Sequence, residues 1–201
     1  MTLSLLLLCV LAALLELDTT YAFQLLLSRP IIAGPIFGCL TGDMAAGVQV
    51  GIFAELLFAD ISPLGGIIPP SGVVACALPI ILYAQGIDLY FGFFIGVLAA
   101  VLYSFCDALL RKTRFNWLIF LEKRIGRKPT DIKRIIAVAL LSSFLMTFVF
   151  ISVLAWGSSQ LMFMVYPYIT PKAHFAFRLA YMAVPWMGLA ALIPVFRLKT
   201  R

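Results

Sequence analysis

Residues Ile135–Trp156 read IIAVALLSSFLMTFVFISVLAW, and not one of them carries a charge. The run approaches the roughly 20 apolar residues that a helix needs to cross a bilayer. It also lacks the period-two alternation of a barrel strand. Leu179–Phe196 is a second uncharged run of nearly the same reach, and Leu3–Leu15 is a third, shorter one. Their surroundings agree: 63% of the chain is hydrophobic and 12% charged, with a mean hydropathy of +1.08. A water-soluble domain of 201 residues has no means of hiding that much apolar side chain. In lipid each backbone donor and acceptor must be satisfied within the protein, so the fold class expected is an all-α, multi-spanning integral membrane protein.

Met1–Leu15 has the length of a cleavable leader, but no Lys or Arg precedes its apolar core, so it is read as a membrane segment. Cys9, Cys39, Cys76 and Cys106 lie inside apolar segments without C-x-x-C spacing and read as small hydrophobes, not as metal ligands or a disulfide framework.

Outward from Ile135 the charge distribution changes abruptly. Up to Leu110 there are seven acidic residues and one basic residue, Arg29; beyond it fourteen basic residues face only Glu122 and Asp131. Nine of those bases fall between Arg111 and Arg134. Flanked by membrane-length runs, they mark a cytoplasmic loop under the positive-inside rule and need no nucleic acid to explain them. The expected organisation is an N-terminal membrane part over 1–110, a basic cytoplasmic loop over 111–134 and C-terminal spans over 135–201. Lys133–Trp156 then leaves the cytoplasm and Phe177–Phe196 returns to it. Leu89–Leu110 spans with its far end at the Gln85-Gly86-Ile87-Asp88 turn, while Tyr166-Pro167-Tyr168 and Thr170-Pro171 make an interfacial connector. His174 belongs beside that connector.

Pro30–Pro79 does not read as plain spanning helix. Pro30, Pro35, Pro63, Pro69, Pro70 and Pro79 each remove a donor or restrict the preceding residue. At membrane depth such backbone survives only where protein buries it or a wet cavity receives it, so re-entrant or broken helices are expected in the N-terminal half. Gly34, Gly38 and Gly42 recur every four residues, Gly47 and Gly51 repeat the interval, and Gly92, Gly96 and Ala100 do so again. On a helix each set falls along one side, where small residues let another backbone approach.

Asp18, Asp43, Glu55 and Asp60 are carboxylates within or beside segments otherwise fit for lipid. An intramembrane carboxylate is costly and normally faces a cavity, a partner charge or a substrate. Glu55 lies four and eight residues after Gly51 and Gly47, hence on the same helical face, with open room beside it. A carboxylate can accept hydrogen bonds from vicinal sugar hydroxyls. Asp43 equally suits the cap of a helix beginning at Met44, and Arg29 suits pairing with Asp18 or anchoring to head groups. No nucleophile, base and oxyanion donor can be grouped, so an enzyme is not expected.

The stretch LDTTYAFQLLLSRPIIAGPIFGCLTGDMAAGVQVGIFAELLFADISPLGGIIPP, Leu17–Pro70, resembles the IIC subunit of mannose/fructose/sorbose-family phosphotransferase systems. The likeness is an ordered pattern: Gln24, Ser28-Arg29-Pro30, Gly34-Pro35, Gly42-Asp43, Gly47, Gly51, Glu55-Leu56, Pro63-Leu64-Gly65 and Pro69-Pro70. What the resemblance implies is a permease subunit of the bacterial inner membrane that binds and translocates a sugar with a IID subunit. Soluble IIA and IIB proteins would carry the phosphoryl group, and the subunit itself would need no cofactor or metal. Glu55 would be a sugar ligand or a near neighbour of one, Gln24 a weaker candidate, with Asp18 and Asp43 as further substrate-binding candidates. Gly65, Pro69 and Pro70 would shape the re-entrant element. The sequence departs from the pattern at Ser71-Gly72, where members commonly carry an aspartate after the proline pair, and in stopping near Arg201, which leaves open a non-transporting scaffold or sensor of the complex. An unrelated ion-coupled carrier is the remaining alternative.

Overall fold

A computed structural model describes residues 3–19, 24–61, 68–125, 132–165, 168 and 171–198. Within them the chain is all-α: α1 (Leu3–Leu17), α2 (Pro30–Thr41), α3 (Met44–Phe58), α4 (Gly72–Ala84), α5 (Leu89–Ile125), α6 (Ile132–Val165) and α7 (Pro171–Leu198). Three stretches are long and apolar enough to cross a membrane, Leu89–Trp117, Ile135–Met162 and Pro171–Ile193. The protein is a multi-pass membrane protein.

The first four helices are short. At 12 to 15 residues each, and about 1.5 Å per residue, they reach only about 18 to 23 Å, against a hydrocarbon core of about 30 Å. Local chemistry sets their ends. Pro30 starts α2 at a position where a missing N–H costs nothing. Gly42, at φ +91, ends it, with its own N–H and that of Asp43 returning to Cys39 and Gly38 carbonyls. Asp43 then caps α3 by accepting from the Ala46 N–H at 2.9 Å. Ser71 does the same for α4, accepting from the Val74 N–H at 3.2 Å.

The glycine spacing is a close-contact seam, with one correction. Gly47 faces Gly34 and Gly38 so closely that an added Cβ would stand 2.5 Å from the Gly34 carbonyl oxygen and 2.7 Å from the Gly38 Cα. Gly51 meets the Pro30 carbonyl in the same way. Gly42 is not part of this seam: a Cβ there would meet nothing within 4 Å, and its role is the left-handed turn.

Helix α4 is the centre of the protein, buried at every residue from Val73 to Leu82. It runs antiparallel to α5. Gly96 lets Pro79 and the Ala75 carbonyl approach, and at its start the Ser71 N–H points to the Ala100 carbonyl at 3.4 Å. The beginning of α4 therefore lies roughly 16 Å along α5 from Leu89. At its other end the expected Gln85–Asp88 turn is present, with Gly86 at φ +90 and Asp88 accepting from the Tyr90 N–H at 3.1 Å.

The basic stretch is helical over most of its length, not a loop. Arg111, Lys112 and Arg114 have high helix propensity and continue α5 to Ile125, and Ile132 already opens α6. The intervening 126–131 lie outside the described residues, as do Pro63, Gly65, Tyr166, Pro167 and Thr170. At about 55 Å, α5 exceeds the hydrocarbon thickness and carries its charges beyond it. Arg111 pairs with Asp107 at 2.7 Å, and Arg114 donates to the Ala139 carbonyl at 3.1 Å, which ties α5 to α6. Helix α7 closes the other side. Its buried Tyr181 packs edge-on or tilted against Phe53, Tyr90 and Phe93, and Gly188 admits the backbone of Leu56. His174, expected beside the connector, lies in the first turn of α7, its Nδ1 3.3 Å from a carboxylate oxygen of Asp88.

Candidate functional site

The free ends of the four short helices converge on one cavity of about 420 Å³, a volume within the range of small-molecule sites. Asp18 and Thr19 after α1, Ser28 to Pro30 entering α2, Glu55 and Phe58 ending α3, and Pro69, Pro70 and Gly72 entering α4 all line it, with Gln24, Leu26 and Ile61 at its mouth. Two helix N-termini, of α2 and α4, thus present their positive ends to the same space.

Glu55 sits across from the start of α2. Its carboxylate accepts from the Ile31 N–H and from Arg29 Nη1, each at 3.4 Å. These are long contacts with a partly exposed pair, so their net worth is small, of order 0 to 1 kcal/mol. A carboxylate has about four acceptor sites, and two long contacts leave room for ligand hydroxyls.

Arg29 pairs with Glu55, not with Asp18. Asp18 instead organises the chain leading into α2. It is buried, accepts the Leu25 N–H at 2.7 Å on one oxygen and the Ser28 N–H at 3.3 Å on the other. That segment is strained: Gln24 and Leu26 have φ of +53 and +64, a region that costs a non-glycine residue about 1 to 2 kcal/mol. Strain of this kind persists where surrounding bonds hold it, and it clusters at ligand sites. Gln24 is exposed at the cavity edge.

Of the four substrate-binding candidates, Asp18, Gln24 and Glu55 therefore meet at one cavity and Asp43 does not. Asp43 stands at the far end of α2 and α3, occupied by the cap and by the Tyr83 hydroxyl, which donates to it at 3.1 Å. Asp60 is exposed after α3. Among the described residues no group of three or more His, Cys, Asp or Glu is placed to hold a metal ion, and all four cysteines are free.

Sequence reasoning passed over Glu16. It is buried one turn behind the cavity and receives the Ser71 hydroxyl at 2.6 Å. The signal was present as an ionisable residue at the end of an otherwise apolar run, two residues before Asp18.

Residues 2–200 match the family described as the PTS system sorbose-specific IIC component. The chain belongs to this family. Among curated relatives of this IIC chain, the N-acetylgalactosamine permease IIC component 1 of Escherichia coli (strain K12) is 37% identical over 65 residues, 32% of this chain and 24% of that protein. The putative N-acetylgalactosamine permease IIC component 2 of the same organism is 35% identical over 46 residues, 23% of this chain and 35% of that protein. The matches thus span about a quarter to a third of these relatives' length. A solved chain described as "Structure of membrane protein" superimposes with a TM-score of 0.77 at 20% identity, covering 98% of this chain and 85% of the other. At that identity the likeness is one of fold.

Proposed function

We propose that this IIC-family chain is the membrane permease subunit of a phosphoenolpyruvate-dependent sugar phosphotransferase system in the bacterial inner membrane. It binds a hexose or amino sugar and moves it across together with a IID subunit. The observation that carries the reading is the cavity where four short helices end, lined by Glu55, Gln24 and Asp18 and by the strained entry to α2. Glu55 and Arg29 receive and donate hydrogen bonds to ring hydroxyls, and Gln24 contributes at the rim. Asp18 holds the strained segment in shape.

In this proposal α2 and α3 form a re-entrant hairpin and α4 a half-crossing, so that polar backbone is presented near mid-depth. Lengths of 12 to 15 residues support it, because helix ends left at that depth need a protein-lined or wet space. The basic end of α5 faces the cytoplasm, where IIA and IIB proteins bring the phosphoryl group; this chain itself is not phosphorylated. Amino sugars are the first substrates to test, since both curated relatives are described as N-acetylgalactosamine permease components.

The test is uptake and binding of N-acetylgalactosamine by the chain reconstituted with its IID partner. Glu55→Ala is expected to weaken binding at least tenfold, while Glu55→Gln, which keeps one acceptor, loses less. Equal affinity in wild type and Glu55→Ala removes Glu55 from the site. Uptake that proceeds equally without this chain leaves it the scaffold role, and uptake driven by an ion gradient without a phosphate donor makes it an ion-coupled carrier.

A further inference from the structure

The polar contact between α1 and α4 joins two walls of the cavity from behind. Glu16 is buried in the last turn of α1, and its Oε2 accepts the hydroxyl of Ser71, also buried, at 2.6 Å. Ser71 is tied three ways. Its hydroxyl oxygen accepts the Val74 N–H within α4, its hydroxyl proton goes to Glu16, and its own N–H points to Ala100 on α5. The residues on either side of it, Pro70 and Gly72, line the cavity. Just after α1, Thr19 donates its hydroxyl back to the Glu16 carbonyl at 2.7 Å, and Asp18 and Thr19 also line the cavity. One side-chain hydrogen bond therefore sets the end of α1 against the start of α4, and through Asp18 it bears on the strained segment before α2.

We propose that Glu16 is a positioning residue for ligand binding: through Ser71 it fixes the N-terminus of α4 at the cavity wall, without touching the ligand. The ligand part of this rests on the sugar-permease reading; the pin itself does not. A carboxylate in apolar surroundings is costly to keep, and around Glu16 the charges that act on it are those of Asp107 and Arg111, already paired with each other. Its function has to lie in the contact it makes. Removing one partner of a buried hydrogen bond leaves the other unsatisfied, which is the more damaging half of the exchange.

The pin predicts a specific pattern among variants of the full chain in lipid nanodiscs with its IID partner, with N-acetylgalactosamine as the probe. Glu16→Ala weakens binding about tenfold and Ser71→Ala, which also removes the α4 cap, at least as much; the double variant is no weaker than Ser71→Ala alone, because that change already removes the Glu16 contact. Glu16→Gln, whose amide oxygen still accepts, and Ser71→Thr, whose hydroxyl still donates, recover most of the affinity. A second readout is independent of sugar: hydrogen exchange across 68–78 is faster in both alanine variants and near wild type in Glu16→Gln and Ser71→Thr. Should Glu16→Ala not fold, Glu16→Leu takes its place in both readouts, because Ser71→Ala also removes the α4 cap and does not isolate the pin. Glu16→Gln as weak as Glu16→Ala, Ser71→Ala within twofold of wild type, or losses that multiply in the double variant overturn the proposal. Wild type that binds no sugar overturns the permease reading instead, and exchange alone then decides the pin.

Discussion

Helices α2 and α3 touch along Gly34, Gly38, Gly47 and Gly51, backbone against backbone, whereas α6 turns Leu141, Leu145, Val149 and Val153 outward from the protein. Both regions are apolar, and composition alone does not separate them. The difference lies in what each side chain must exclude. The four short helices bring unsatisfied ends together at one polar cavity, and close backbone packing between α2 and α3 holds those ends in place. Where a helix crosses completely, its backbone is already satisfied and large aliphatic side chains can meet lipid along its length. The chain thus has a seam in α2 and α3 where glycines leave no space for a side chain, and an outward face of α6 where large side chains meet no such limit.

The sharpest way to break that contrast is Gly47→Ala. The new methyl would stand 2.5 Å from the Gly34 carbonyl oxygen and 2.7 Å from the Gly38 Cα, atoms of a helix backbone that no rotamer change can move. Overpacking typically costs 1 to 3 kcal/mol, and a clash with backbone on both sides belongs at the upper end, about 3 kcal/mol. Thermal unfolding of the purified protein followed by size-exclusion fluorescence measures it; an unchanged midpoint would show the seam to be loose.

Next in size is Asp18→Ala. Two backbone N–H groups lose their acceptor, and the segment with positive φ at Gln24 and Leu26 loses what holds it. A buried donor left unsatisfied costs about 1 to 3 kcal/mol, of which the segment recovers part by relaxing, so about 2 kcal/mol of stability and a larger fraction of ligand affinity are expected to go. Affinity falling more than stability is the diagnostic result. A stability loss with affinity intact would make Asp18 a purely local brace. Smaller again is Asp43→Ala, where loss of the α3 cap costs about 1 kcal/mol; Asp43→Ser keeps an acceptor and most of the stability. Sugar binding unaffected by either variant, measured beside the melting midpoint, is expected from its distance to the cavity, and a selective loss of binding would return Asp43 to the site.

How much of this was legible in the sequence follows from what each feature depends on. Long spans, the Asp43 cap and the turn at Gly86 depend on neighbours within a few residues, and the glycine seam joins helices adjacent in the chain, so local spacing displays them. Gly42 shares the four-residue interval of Gly34 and Gly38, so periodicity could not tell a packing glycine from a helix stop. Arg29 reaching Glu55 across 26 positions, and Glu16 reaching Ser71 across 55, depend on how separate helices are stacked, which no spacing encodes. The extension of α5 past Arg111 was hidden for another reason: basic residues favour both helices and solvated loops, and charge alone does not choose.

The smallest effect separates the two regions most cleanly because its sign reverses. Gly157 lies in α6, and a Cβ added there would meet nothing within 4 Å. With no neighbour to displace, what remains is the intrinsic preference of a helix for alanine over glycine, about 1 kcal/mol or less. Gly157→Ala is therefore expected to raise the unfolding midpoint slightly, while the same exchange at Gly47 lowers it strongly. The pair carries one chemical change, one added methyl, into two helices of one protein, so expression and detergent effects are shared and only packing differs. A destabilised Gly157→Ala would mean that another surface rests on α6 at that point, and the contrast between a packed short-helix region and a lipid-facing long one would have to be redrawn there.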